Sequence, residues 1–154
     1  MIQRIQTVYL LIAEMLIGAL FFLPFGTISA KEGGIYRFDI NGIYLEAAQK
    51  PEIMYGSLPL VILWAMSLIL ILVTIFLFKN RILQMRISAI SIFMLIGLSG
   101  LIYYSIWSGA KTLSGVYSLS LYFVFPAIAV VLIYMAIRSI RKDELLVRSI
   151  DRIR

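Results

Sequence analysis

The chain has 154 residues, 62% of them hydrophobic and only 14% charged, with a formal net charge of +6, no cysteine and no histidine. Such a composition exposed to water would drive association, whereas lipid removes the problem. Without cysteine or histidine there are no disulfide staples, no thiol chemistry, no common metal ligand and no usual proton shuttle, so no cofactor and no enzymatic activity are expected.

Four apolar runs, 5–24, 58–78, 87–107 and 119–137, contain a single charged residue, Glu14. A helix rising ~1.5 Å per residue covers a ~30 Å hydrocarbon core with about 20 residues, and each run has that length. The fold class read from the sequence is therefore an all-α membrane protein: one antiparallel bundle of four transmembrane helices, with an extracytoplasmic β-hairpin and a cytoplasmic amphipathic C-terminal helix. Four spans occupy about half of the chain and leave no length for a separate soluble domain.

The first run follows Arg4 and precedes Ser29 and Ala30, which imitates a signal peptide. It is longer than the ~7–15 residues of a removable apolar region, so an uncleaved helix is expected, ending where Pro24 interrupts helical hydrogen bonding. Glu14 lies midway along it. A charge at a helix centre costs about 2.5–3.5 kcal/mol on insertion scales, so the side chain is expected to face the bundle interior. Counted from the ends of the runs, Ser67 and Ser99 reach a similar depth, and Glu14, Ser67 and Ser99 form the candidate intramembrane polar site. A protonated Glu14 bonded to a serine is the structural reading; proton or cation coupling is the functional one.

The connection 25–57 contains Ile35-Tyr36-Arg37-Phe38-Asp39-Ile40-Asn41-Gly42-Ile43-Tyr44-Leu45-Glu46. Asn-Gly suits a type I′ turn, which pairs Ile40 with Ile43, Phe38 with Leu45, Tyr36 with Ala47 and Arg37 with Glu46. A two-stranded hairpin is marginal alone, so its apolar face is expected to cap its own bundle, the alternative being a docking surface. The second run opens on Leu58-Pro59, where proline's missing amide hydrogen costs nothing. The short turn 79–86 makes the second and third runs a tight antiparallel pair.

Ser88, Ser91 and Ser99 fall on one face of the third run, a packing face in this reading. Tyr55, Tyr103, Tyr104, Trp107, Tyr117 and Tyr122 gather toward one end of the bundle as an interfacial belt. Pro126 is expected to kink the fourth run. Beyond it, Arg138, Arg141, Lys142, Arg148 and Arg152 oppose Ile140, Leu146, Val147, Ile150 and Ile153 on an amphipathic tail, with Glu144 and Arg148 as an i, i+4 pair. Those basic residues are the candidate surface for acidic lipids, or for a partner protein. Ten basic residues flank the N-terminus, the second connection and the C-terminal tail, against four in the other two connections. This asymmetry predicts both termini in the cytoplasm and the hairpin outside. It also accounts for the positive charge without nucleic acid.

The termini carry a resemblance. Met1-Ile2-Gln3-Arg4-Ile5-Gln6-Thr7, together with the run from Ile137 to Arg154, resembles an uncharacterised family of small Gram-negative bacterial membrane proteins along the full length. The resemblance implies four spans, a periplasmic first connection and an inner-membrane location, and it brings no activity. Ala13-Glu14-Met15 and Ile106-Trp107-Ser108-Gly109 locally resemble the small multidrug resistance exporters, which use a first-helix carboxylate for proton exchange. Those exporters have short connections and place the tryptophan motif within the third helix. The expected function is a non-enzymatic inner-membrane subunit or accessory factor of a larger assembly with other membrane proteins; a small proton-coupled transporter using Glu14 is the rival.

Overall fold

In the computed structural model the described residues are 5–30, 33–45, 53–78 and 80–151, with side chains described except at 53–55 and 146–151. Four helices, α1 (Ile5–Ala19), α2 (Leu58–Phe76), α3 (Arg81–Thr112) and α4 (Phe125–Asp151), carry a five-stranded antiparallel sheet at one end of the bundle. Three helices, α2, α3 and the apolar part of α4, are long and apolar enough to cross a membrane, whereas α1 has 15 described helical residues.

Each helix buries a seam with alternating steps of three and four residues. Gln6, Leu10, Ala13, Ile17 and Leu20 form it around α1, Ser67, Ile71 and Thr74 on α2, and Ala129, Ile133, Ala136 and Ile140 on α4. On α3 the seam runs from Gln84 through Ser88, Ser91, Leu95, Leu98 and Ile102. A 3.5-residue repeat keeps one narrow stripe facing the neighbours, as in left-handed bundles. α1 packs against both α2 and α4, and α3 against both α2 and α4, which closes a four-helix ring. The short link between α2 and α3 makes them antiparallel neighbours, as the sequence leads one to expect.

Three helix boundaries differ from the sequence reading, each for a local reason. α1 stops at Ala19 rather than at 24, and its last turn tightens into i→i−3 bonds from Leu20, Phe21 and Phe22 before Pro24. The third helix begins at Arg81, so most of the expected turn 79–86 is helical. Pro126 does not kink a span. β5 (Val116–Leu119) and a 3₁₀ turn (Leu121–Val124) occupy the start of the fourth apolar run, and Pro126 falls in the first turn of α4, where its missing donor is harmless. The basic tail is likewise no separate helix, because α4 continues unbroken to Asp151.

The expected hairpin is the centre of a larger sheet. β1 (Gly26–Ala30), β2 (Gly34–Phe38), β3 (Gly42–Leu45) and β4 (Ile53–Gly56) form a meander, and β5 joins the far edge of β1 to give the order β4-β3-β2-β1-β5. Phe38 pairs with Ile43 and Tyr36 with Leu45, not with Leu45 and Ala47, and Arg37 lies opposite Tyr44. The loop is Ile40–Asn41, closed by reciprocal Asp39–Gly42 backbone bonds, because the Asp39 Oδ1 accepts the Asn41 N–H at 2.9 Å and Gly42 takes φ +145°. A shift by two residues preserves the faces, so Phe38 still points inward. The pairings Arg37–Glu46 and Tyr36–Ala47 involve partners outside the described residues.

Phe25, Ile28, Phe38, Ile40 and Ile43 are fully or almost fully buried and join the helical core, so the sheet caps its own bundle. The approach is close at Gly26, where an added Cβ would collide with the Ser118 backbone and with Ile106 of α3. Ser118 belongs to a paired strand and cannot give way. Gly26→Ala is therefore expected to lose about 1–3 kcal/mol through overpacking, read as a lower unfolding midpoint in detergent; an unchanged midpoint would mean that β1 does not sit between β5 and α3.

Candidate functional site

The depth of each polar residue is set by two side-chain bonds between helices. Trp64 of α2 donates its indole Nε1–H to the Ile17 carbonyl of α1 at 2.8 Å, and Phe21 stacks on the same indole with ring centroids 5.4 Å apart. Gln84 of α3 donates Nε2–H to the Thr74 carbonyl of α2 at 3.1 Å. Both acceptors lie near helix C-termini, where carbonyls lose their i+4 amide donor. A side chain from the next helix donates in each case, at Ile17 alongside the Leu20 amide.

From these bonds the levels follow. Glu14 lies three residues before Ile17 and Ser67 three beyond Trp64, so in antiparallel helices they stand level. Seven residues along α3 from Gln84 is Ser91, and seven back along α2 from Thr74 is again Ser67. Ser91 therefore shares the Glu14 level. Ser99 stands eight residues further toward the sheet, ~12 Å away at 1.5 Å per residue, so the expected grouping with Glu14 does not form. The offset arises because α3 starts at Arg81, six residues before the apolar run 87–107.

Glu14 shares a stripe with Gly18 and Phe21, at i, i+4 and i+7, which turns it toward α2 rather than into the centre of the seam. It is half-buried, and its Oε2 is buried without a hydrogen-bond partner. No serine bonds to it. Ser67 donates to the Leu63 carbonyl at 2.8 Å, Ser91 to Ile87 at 3.0 Å and Ser99 to Leu95 at 2.9 Å, each back onto its own helix. A short hydroxyl on a helix reaches the carbonyl one turn earlier more readily than a neighbouring helix.

At the end of the bundle remote from the sheet, Arg81 Nη1 approaches the Glu144 Oε2 at 3.8 Å and ties the start of α3 to α4. Arg138, Arg141 and Lys142 are exposed nearby, while Ile140 continues the buried seam. The apolar side of this part of the tail thus packs on the bundle. The Arg148 side chain and Arg152 lie outside the described residues.

At the sheet end a half-open cavity of about 210 Å³ separates the sheet from the last turns of α3, lined by Phe38, Ile43, Ser57, Tyr104, Ser105 and Ser108 among others. Of the expected aromatic belt, Tyr104 lines it. Tyr103, Tyr104 and Trp107 are exposed, the Tyr103 and Tyr117 hydroxyls lie 3.4 Å apart, and the Lys111 Nζ sits 5.3 Å above the Trp107 ring. The side chain of Tyr55 is outside the described set.

Sequence reasoning passed over Gln6, Trp64, Gln84 and the particular depth of Ser91. The signal was present in the heptad spacing 84-88-91-95, but it becomes visible only once the helix is extended past the apolar run. Structurally the molecule is a small four-helix bundle, three of whose helices are long and apolar enough to cross a membrane, with a sheet cap. The chain belongs to the family DUF4293, a domain of unknown function, whose pattern it matches over residues 2–153. No curated protein matches it.

Trp64→Phe keeps the ring on Phe21 and removes only the donor to Ile17. A loss of about 0.5–1.5 kcal/mol in unfolding free energy, measured in detergent, is expected from a single hydrogen bond, the Leu20 amide still serving the carbonyl.

Proposed function

We propose that this is an integral inner-membrane protein whose four helices cross the bilayer, with both termini cytoplasmic and the sheet on the periplasmic side, and that it serves as a non-enzymatic subunit or accessory factor of a larger membrane assembly. The observation that carries the membrane part is the surface of the bundle. Val8, Leu11, Met15, Ile62, Ile69, Phe93, Ile96 and Val131 are all exposed on the helices, around seams that bury the polar side chains instead. Lipid is the solvent that suits such a belt. α1 joins the crossing helices by adding its tightened last turn to its 15 helical residues.

Orientation rests on the ten-to-four distribution of basic residues, with the sheet on the poorer side. The exposed Arg138, Arg141 and Lys142 would then meet acidic lipid headgroups, at about 1 kcal/mol per charge. The subunit reading is supported by the sheet. Ile35 and Val116 both pair with Ser29 of β1, so the three form one row on the face opposite Ile28, and Ile35 is 52% and Val116 76% exposed. That row lies beyond the reach of lipid tails and offers a partner an apolar contact.

The second reading, proton-coupled transport, is favoured by one feature, the buried unpartnered oxygen of Glu14. The two are separable. Purification in mild detergent is expected to yield a stoichiometric partner that is lost with Val116→Asp, whereas a monodisperse, partnerless protein would overturn the subunit reading. In proteoliposomes, substrate-driven proton movement abolished by Glu14→Gln would replace it with the transporter; Glu14→Gln is otherwise expected to leave assembly unchanged.

A further inference from the structure

Among the described residues the bundle keeps its buried polar side chains in one half. Gln6, Ser67, Thr74, Gln84, Ser88 and Ser91 are all at most 1% exposed, and all lie between the α2–α3 turn and the level of Glu14. Toward the sheet the buried seam is apolar, with Ile17, Leu20, Leu60, Leu98, Ile102 and Ile106 each at most 1% exposed. The division runs across all the helices that carry polar seam residues, so it is a property of the bundle rather than of one helix.

The same half holds four buried oxygens without a hydrogen-bond partner: Gln6 Oε1, Gln84 Oε1, Ser88 Oγ and Glu14 Oε2. Buried polar groups are rarely left so, since each orphan loses its hydration with nothing in return. Their positions connect. The Trp64–Ile17 bond puts Gln6 level with residue 75 of α2, hence at the height of the Thr74–Gln84 bond. Gln84, Ser88 and Ser91 then follow one another on a single stripe of α3, at i, i+4 and i+7, rising ~10 Å to the level of Ser67 and Glu14. At the lower end stand Arg81 and Glu144, whose side chains are 23% and 22% exposed. A polar, enclosed column with several acceptor oxygens and a partly exposed charged end is the setting in which buried water is bound.

We propose that the column lined by Gln6, Gln84, Ser88, Ser91 and Ser67 is an internal water site that opens beside the Arg81–Glu144 pair and ends at Glu14, closed from the sheet side by the apolar seam. This rests on the membrane reading above. In that setting Glu14 communicates with one face of the membrane alone, the face bearing the basic tail. The column serves as a dead-end inlet rather than a pore, because Leu98, Ile102 and Ile106 offer water no partner.

The absence of cysteine from the chain makes single-cysteine variants unambiguous. Ser88→Cys, Ser91→Cys and Leu98→Cys, with Arg141→Cys as an exposed marker of sidedness, are expressed in cells and exposed to silver ion, a thiol reagent of about the size of water, in right-side-out and in inverted vesicles. Thiols left unprotected are then counted with a fluorescent maleimide after denaturation. Ser88→Cys and Ser91→Cys are expected to lose most of their labelling from the same side as Arg141→Cys and none from the other, while Leu98→Cys stays labelled from both. Full labelling of Ser88→Cys and Ser91→Cys, or protection of Leu98→Cys equal to theirs, overturns the proposal. Arg141→Cys protected equally from both sides would instead overturn the membrane reading. Serine-to-cysteine exchange is nearly isosteric, and the folded yield of each variant is checked by size-exclusion chromatography.

Discussion

A buried backbone carbonyl needs a hydrogen-bond donor, and the arrangement of this bundle follows from how its helix ends meet that demand. α1 ends early, and its Ile17 carbonyl takes both the Leu20 amide and the Trp64 indole. α2 ends at Phe76, and its Thr74 carbonyl takes the Gln84 amide group. Each bond reaches from the end of one helix to the side of the next, so the same contact that satisfies a carbonyl also sets the vertical register of two helices. Leu and Ile could fill the same volumes, but they would leave both registers free to slide.

The sheet plays the corresponding part at the other end. A connection of more than thirty residues over an apolar bundle would carry many unpaired amides, and pairing into five strands satisfies them. β5, drawn from the distant link between α3 and α4, stitches to β1, drawn from the link after α1. Two connections that are remote in the chain thereby lock the sheet ends of the helices together. The burial of Phe25, Ile28, Phe38 and Ile43 beneath the sheet makes the cap part of the core rather than an appendage.

Much of this was open to a reader of the sequence. Apolar runs near 20 residues indicate membrane-length helices because backbone rise and bilayer thickness are both constants, and Leu58-Pro59 marks the start of α2 because proline suits that position alone. The hairpin was legible from alternation and Asn-Gly. Its register was not, since Asp39 could divert the turn by one Asx contact that no pattern distinguishes. β1, β4 and β5 were missed because strands of four or five residues, such as Gly26–Ala30, have too little alternation to stand out before their partners are known. Pro126 misled for a related reason. Its place in the first turn depends on where α4 begins, and that is decided by β5 and the 3₁₀ turn ahead of it.

By itself the sequence determined the class of structure: how many apolar segments there are, which side of them carries the basic charge, and that Glu14 is the lone charge within them. These depend on composition along the chain, and composition is local. Which residues share a depth was settled only by the tertiary structure. Ser91, not Ser99, is level with Glu14, and Gln6 and Gln84 stand at one height, because cross-helix bonds from Trp64 and Gln84 fix how far each helix is raised against its neighbour. Helical periodicity reports the direction of a side chain around its axis but says nothing of the offset between two axes, and that offset gathers the polar residues into one half of the bundle.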